Sequence, residues 1–144
     1  MIRLAIIDGQ GAGIGSTVIR RIRQAYGEKV EIWALGTNAI ATGQMLKAGA
    51  NRGATGESAV CYCASQVDVI IGPISIILAN AMMGEVTSAM AEAIGASSAT
   101  KILLPVTTEP VSIVGVSAEP LPHLVEKLVK EYLPGIIWYK DERD

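Results

Sequence analysis

Phenylalanine is absent, histidine occurs once, cysteine twice, and the 12 lysines and arginines are outnumbered by 14 acids. Each shortage excludes something. The lone Cys-x-Cys pair, Cys61 and Cys63, supplies two ligands and His123 is distant in the sequence, so no tetrahedral metal site is expected. A formal charge of −2 and an isoelectric point near 5.4 give no basic face for nucleic acid, which is therefore not expected as a partner. The longest apolar run, Ile74 to Met83, is interrupted by Ser75 and Asn80 and falls well short of the ~20 residues that a bilayer span needs. No membrane partner is expected, and the protein is read as cytoplasmic.

What remains is aliphatic. Half of the 144 residues are hydrophobic, mean hydropathy is +0.39 and only 18% are charged, so the core must be built from Ile, Val, Leu, Ala and Met. A chain of this length folds as one domain, here 1–144. So small a body has much surface for its volume, and this excess of apolar residues points to a homo-oligomer that covers some of them.

The periodicity alternates between strand and helix. Ile2–Ile7 and Val30–Leu35 read as buried strands. Ile14–Tyr26 reads as a helix with Val18, Ile22 and Ala25 inward, Arg20, Arg21 and Arg23 on a solvated face, and Gly27 as its stop. Asn38–Ala48 is a second helix, ended by Gly49. After a glycine-punctuated loop, Ser58–Cys63 reads as a third strand, though so short a run fits a helix as well. On a strand the two thiols share one face, roughly 7 Å apart, as buried apolar groups. Val67–Ile71 is a strand, followed by helical pieces at Ser75–Met83 and Ser88–Ile94 that are divided at Gly84, with Thr87 as an N-cap. Lys101–Val106 and Val111–Val116 read as antiparallel neighbours at one sheet edge, because Thr107–Pro110 is too short for a crossover helix. A last amphipathic helix, Leu121–Leu133, turns Leu124, Leu128 and Tyr132 inward. In the tail 134–144, Ile136, Ile137, Trp138 and Tyr139 are expected to dock on the body or on a neighbouring subunit, and the last five residues to fray. The fold class is α/β: a three-layer Rossmann-like sandwich, mostly parallel, with an antiparallel C-terminal edge.

Such sheets bind ligands beyond the carboxyl ends of their strands, and those ends are small and polar in this chain. The first strand runs into Asp8, Gly9, Gln10, Gly11, Ala12, Gly13, Ile14 and Gly15. Glycines at a strand-to-helix turn let backbone amides approach an anion that the helix N-terminus also favours. The second strand ends at Gly36, Thr37 and Asn38. We therefore expect Gly9, Gln10, Gly11, Gly13, Ile14, Gly15, Gly36, Thr37 and Asn38 to hold a nucleotide, a dinucleotide or a small phosphorylated metabolite. Thr37 and Asn38 also fit as helix-start residues. Asp8 fits two roles, capping the turn or binding a ligand hydroxyl, amine or Mg²⁺. Asp8 and Glu57 are the candidate catalytic pair, with Thr55 beside Glu57 in a loop longer than turning requires. Glu85 ranks second as a base, with an interface ion pair as its structural role. His123 reads as a surface residue at a helix start. The competing reading is a non-enzymatic homo-oligomeric sensor or assembly module, in which the apolar segment Ser75–Ile94 forms the interface and the glycines serve packing.

The spacing of Gly9, Gly13 and Gly15 resembles the phosphate loop of short-chain dehydrogenases through Tyr26, and Gly9-x-Gly11-x-Gly13 is similar to the methyltransferase loop. Neither extends further. The second strand has no acidic residue at its end, and no tyrosine is followed four positions later by lysine. A fainter likeness, to the phosphate-binding fold of methylglyoxal synthase, runs through Gly36-Thr37-Asn38 and Pro105–Thr108. Over nearly its whole length the chain resembles a family of small bacterial proteins classed as a domain of unknown function. The features that carry this are Asp8–Gly11, Leu35–Ala39, Gly53–Glu57, Asp68–Pro73 and Pro105-Val106. That resemblance implies a complete body and brings no activity with it.

Overall fold

The computed structural model describes the backbone of residues 1–143 and side chains through Trp138. Five strands, β1 (Ile2–Asp8), β2 (Val30–Gly36), β3 (Arg52–Thr55), β4 (Val69–Pro73) and β5 (Thr100–Leu104), form one sheet in the order β3-β2-β1-β4-β5. Every ladder is parallel. Alternating side chains of the central strands feed two cores. Leu4, Ile6, Ile32, Val69 and Ile71 point to one face, and Ala5, Ile7, Leu35 and Ile70 to the other. The first face is covered by α1 (Gly13–Tyr26), α2 (Ala39–Ala48), α5 (Leu121–Lys127) and α6 (Leu133–Arg143), through Val18, Ile22, Met45, Leu124 and Leu133 among others. The second is covered by α3 (Glu57–Cys63) and α4 (Ser88–Ala96), through Val60, Met90 and Ile94. Each large aliphatic side chain removed from water contributes about 1.5–3 kcal/mol, and β1 and β4 bury theirs on both faces, as all-parallel sheets require.

The strand order places the site. From β1 the chain steps outward to β2 and β3, then returns to the other side of β1 for β4 and β5, so the order reverses between β1 and β4. At such a reversal the loops diverge and leave a crevice beyond the carboxyl ends.

Several expectations are corrected. Ser58–Cys63 falls within helix α3, and the third strand is Arg52–Thr55, inside the stretch read as a loop. Gly53 earns its place in β3, since a Cβ there would stand 2.8 Å from Thr42 Cγ2 and 2.9 Å from Leu46 Cδ1 of α2. On a helix Cys61 and Cys63 diverge: Cys61 is half-buried and Cys63 lies in the second core. The antiparallel edge is absent. Residues 105–120 form no strand, Val111–Val116 are all exposed, and β5 is the sheet's edge. Ser75–Met83 is not a helix either. A 3-10 turn, Ile74–Ile77, gives way to successive turns in which Asn80, Met82 and Met83 adopt positive φ, and Ile76, Ala81 and Val86 are buried within the chain itself. Gly27 and Gly49 do end α1 and α2, and Asn38 and Thr87 cap α2 and α4.

At the C-terminus α5 passes through a π turn, Leu128–Tyr132, directly into α6. The wider turn shifts the helix face, so Val125 and Val129 are buried while Tyr132 is 53% exposed. In the tail, Ile137 docks in the first core and Trp138 is exposed. The side chain of Tyr139 and those of the last five residues lie outside the described set, though the backbone is helical to Arg143. Ala25 is exposed, whereas Arg21 and Arg23 are tied down. Arg21 pairs with Glu126 of α5, and Arg23 donates to the carbonyls of Gly49 and Val30 at 2.8 and 3.0 Å.

Candidate functional site

Strands β1 and β2 are in register over their full length, ending with Asp8 opposite Gly36. The amide of Thr37 continues the ladder to the carbonyl of Asp8 at 3.1 Å. The loops that follow are thus held side by side. The first, residues 9–12, turns sharply: the Ala12 amide donates to the Gly9 carbonyl at 2.8 Å, and Gln10 and Ala12 take left-handed φ of 48° and 56°. Helix α1 then starts at Gly13.

The loop glycines divide into two kinds. Gly9 and Gly15 are buried, and a Cβ on either would collide. At Gly9 it would stand 2.4 Å from Thr37 Oγ1 and 2.6 Å from Met82 Sδ; at Gly15, 2.7 Å from Met45 Sδ. Gly11 and Gly13 are exposed, and among the described residues no atom other than those of chain neighbours and the helix's own backbone lies within 4 Å of where their Cβ atoms would be. Neither has a positive φ. Gly36 belongs with the packed kind: its Cβ would meet Thr42 Oγ1 at 2.2 Å and the backbone nitrogen of Thr42 at 2.6 Å.

Two carboxylates meet at this loop. Asp8, 4% exposed, accepts from the Gly9 amide through Oδ1 and from the Gly15 amide through Oδ2, each at 2.8 Å. Burial pushes its carboxyl above the usual range, only partly offset by those two amides, and the nearby charge of Glu85 adds to the rise. Glu85 reaches in from the far side of the crevice. Its Oε1 accepts from the Gln10 amide at 2.8 Å, from Thr37 Oγ1 at 2.6 Å and from Asn38 Nδ2 at 2.8 Å. Burial pushes Glu85 up, but the three hydrogen bonds together outweigh it and hold the group below its ordinary value. Asn38 is fully engaged, since Nδ2 also donates to the Gln10 carbonyl at 3.0 Å and Oδ1 accepts from the Ala41 amide at 2.8 Å.

The corner is therefore partly filled by the protein's own side chains. The amides of Gly9 and Gly15 are taken by Asp8 and that of Gln10 by Glu85. Those of Gly11, Gly13 and Ile14 donate to no acceptor among the described residues. Glu57, the other candidate carboxylate, does not join Asp8. It stands at the start of α3 and accepts from Thr87 Oγ1 at 2.6 Å, linking α3 to the cap of α4. Thr55 Oγ1 lies 2.7 Å from Thr42 Oγ1 and fastens β3 to α2. His123 is exposed in α5. Sequence reasoning ranked Glu85 below Glu57. The available signal was a single carboxylate directly after Met82-Met83-Gly84, where a turn delivers a charge into otherwise apolar surroundings.

Two clefts are lined by residues outside this loop. One, of about 170 Å³, opens at the β3 edge between Trp33, Leu35, Arg52 and Tyr62. The other, of about 190 Å³, lies among Ile74, Pro105, Thr107, Ile113 and Val116, beneath the irregular loop that follows β5. Among the described residues no group of three or more His, Cys, Asp or Glu side chains is arranged to hold a metal ion. Among them, too, no helix is long and apolar enough to cross a membrane.

A family profile described as a domain of unknown function, DUF3842, matches residues 3–135. The chain belongs to this family. No curated protein matches it. Among solved structures, a universal stress protein in complex with cAMP is similar, with a TM-score of 0.42 and 15% identity over 72% of this chain and 98% of the other.

Proposed function

We propose that this DUF3842 protein binds a nucleotide or small phosphorylated metabolite at the β1–α1 loop, with the phosphate on the amides of Gly11, Gly13 and Ile14. One observation carries the reading. Gly11 and Gly13 are bare where neither packing nor backbone conformation calls for it, and the loop even spends its left-handed positions on Gln10 and Ala12. A missing side chain with no internal reason leaves room for something outside, and the first turn of a helix offers that visitor amides and a favourable dipole. Asn38 and Thr37 border the same space, and Asp8 fixes the loop from beneath. On this reading Asp8 is a positioning group, and neither it nor Glu57 is assigned a catalytic step.

The test is thermal stabilisation by NAD, NADP, ATP, S-adenosylmethionine and sugar phosphates. A ligand at a hundred times its Kd adds about 2.7 kcal/mol. Gly13→Asp should leave the fold intact, because the position is open, and abolish the shift by placing a charge on the phosphate site. The second reading, an oligomeric sensor or assembly module, draws support from the exposed side chains of Val111, Ile113, Val114 and Val116 in the loop that follows β5. A panel that produces no shift, together with a Gly13→Asp variant that unfolds, would favour it.

A further inference from the structure

Glu85 behaves as a ligand that the protein carries with it. Three donors from two separate loops, Gln10 N–H, Thr37 Oγ–H and Asn38 Nδ2–H, converge within 2.6–2.8 Å on one carboxylate oxygen. A backbone amide, a hydroxyl and a side-chain amide aimed at a single oxygen make an oxyanion site, and its acceptor comes from a residue 47 to 75 positions away in the chain. The segment that delivers it holds several residues in left-handed backbone. Asn80, Met82 and Met83 hold positive φ of 70°, 58° and 57°, a conformation disfavoured for residues with a Cβ. Met83 is 97% exposed, so no packing holds it in place.

The base of this segment is closed independently of its tip. The Asn80 amide donates to the Val86 carbonyl at 2.7 Å, the Val86 amide donates to the Ala81 carbonyl at 3.2 Å, and Ala81 and Val86 are anchored in the second core. A loop closed at its base in this way is compact, with its ends close together. Beyond the base, the tip is held by the three donors on Glu85 and by a bond from the Met82 amide to Glu109 Oε1 at 3.0 Å. It is held also by the Gly84 amide on the Asn80 carbonyl at 3.0 Å, by the Glu85 amide on the Met82 carbonyl at 3.2 Å, and by the Met82 side chain packed on the second core.

We infer that Gln10, Thr37 and Asn38 form a phosphate subsite in which Glu85 is a resident stopper, and that the tip Met82–Glu85 lifts to exchange that carboxylate for a ligand phosphate. The inference rests on the reading of this crevice as a ligand site and adds its regulation. Exchange removes a negative charge from beside Asp8 as it frees the donors, so the closed loop disfavours an anion twice over and the open loop accepts it.

The experiment compares melting temperatures of the wild-type protein and Glu85→Ala in inorganic phosphate, against sodium chloride of equal ionic strength. Phosphate should raise the melting temperature of Glu85→Ala by about 3 °C or more at tenfold over its dissociation constant, and that of the wild type by less. Adding Thr37→Val to Glu85→Ala should remove the gain. Equal responses of wild type and Glu85→Ala, or a gain that survives Thr37→Val, overturn the inference. Should Glu85→Ala not fold, Glu85→Gln carries the test. Its neutral carbonyl holds the donors less firmly, so a smaller phosphate response is expected, and a response no greater than the wild type's overturns it. The two readings fail separately. A nucleotide shift in the wild type that Gly13→Asp abolishes, alongside a Glu85→Ala variant indifferent to phosphate, removes the stopper and leaves the proposed function standing. A phosphate response in Glu85→Ala with no response of the wild type to the ligand panel does the reverse.

Discussion

The floor and the mouth of the β1–α1 loop are made of the same residue type for opposite reasons. On the floor, Gly9 and Gly15 are buried against Thr37, Met82, Met45 and Asp8, and their amides are consumed or enclosed by the protein. At the mouth, a Cβ on Gly11 or Gly13 would meet no neighbour among the described residues, and the amides at the front of α1 have no protein acceptor among them. A glycine-rich motif therefore mixes two kinds of information. Half of it reports how closely a helix approaches a sheet, and half reports what the crevice leaves open. A motif match read as a whole credits binding with glycines that serve packing.

The largest effect should come from extending the floor beneath β2. Gly36→Ala would set a Cβ 2.6 Å from the Thr42 nitrogen and 2.7 Å from the Asn38 carbonyl, both backbone atoms at the start of α2. Flexible side-chain ends can swing aside, but these atoms cannot, and forced overpacking costs about 3 kcal/mol when the backbone must shift. Urea unfolding should show that loss for Gly36→Ala and a change within about 0.5 kcal/mol for Gly11→Ala. Comparable losses at both positions would erase the distinction between floor and mouth.

The same distinction explains what the sequence could and could not disclose. The positions of β1, α1, β2 and α2 were legible because their apolar periodicity is clear, with only Arg3 and Glu31 inside the strand runs, and their ends are punctuated by Gly27, Gly49 and Asn38, each with a local physical role. Thr87 was legible as a cap for the same reason. The loops beyond β4 were not. Ile74–Met83 is as apolar as a helix, yet its hydrophobicity fills the second core through irregular turns, with Ile76 and Ala81 pointing inward without helical periodicity. Ser58–Cys63 satisfied both strand and helix patterns, and the edge position next to β2 went to the glycine-containing Arg52–Thr55 because only a small residue at 53 lets α2 lie across it. Val111–Val116 has the composition of a strand but pairs with no strand among the described residues. In the site, Asp8 and Asn38 could be placed from local rules. The convergence of Glu85 on Gln10, Thr37 and Asn38 is a tertiary event between distant loops, which no local rule encodes.

A subtler test of the mouth uses stability in the absence of any ligand. Gly13 is the first residue of α1, and a glycine in a helix costs about 0.5–1 kcal/mol relative to alanine where the backbone already suits either. Gly13→Ala meets no neighbour and needs no change of φ. It should raise stability by about 0.5 kcal/mol in urea unfolding. A protein that keeps glycine where alanine is more stable is retaining it for something other than folding. A destabilised Gly13→Ala would instead move this position from the mouth to the floor.

The smallest expected effect separates the two carboxylates by sign. Glu85 titrates below its ordinary value of 4.5 in the folded chain, so its stabilising contribution is fully present above about pH 4.5 and is lost as the pH falls through its folded value. Asp8 titrates above its ordinary 3.8. Its contribution is greatest below that value and is lost as the pH rises through its folded value, because burial resists the charge that the Gly9 and Gly15 amides only partly stabilise. Melting temperatures recorded between pH 3 and 7 should therefore diverge in opposite senses. The advantage of the wild type over Glu85→Gln should shrink on acidification, whereas its standing against Asp8→Asn should improve. Parallel profiles for the two variants would mean that the buried acid and the borrowed one sit in equivalent surroundings, and that the loop has no distinct floor and mouth.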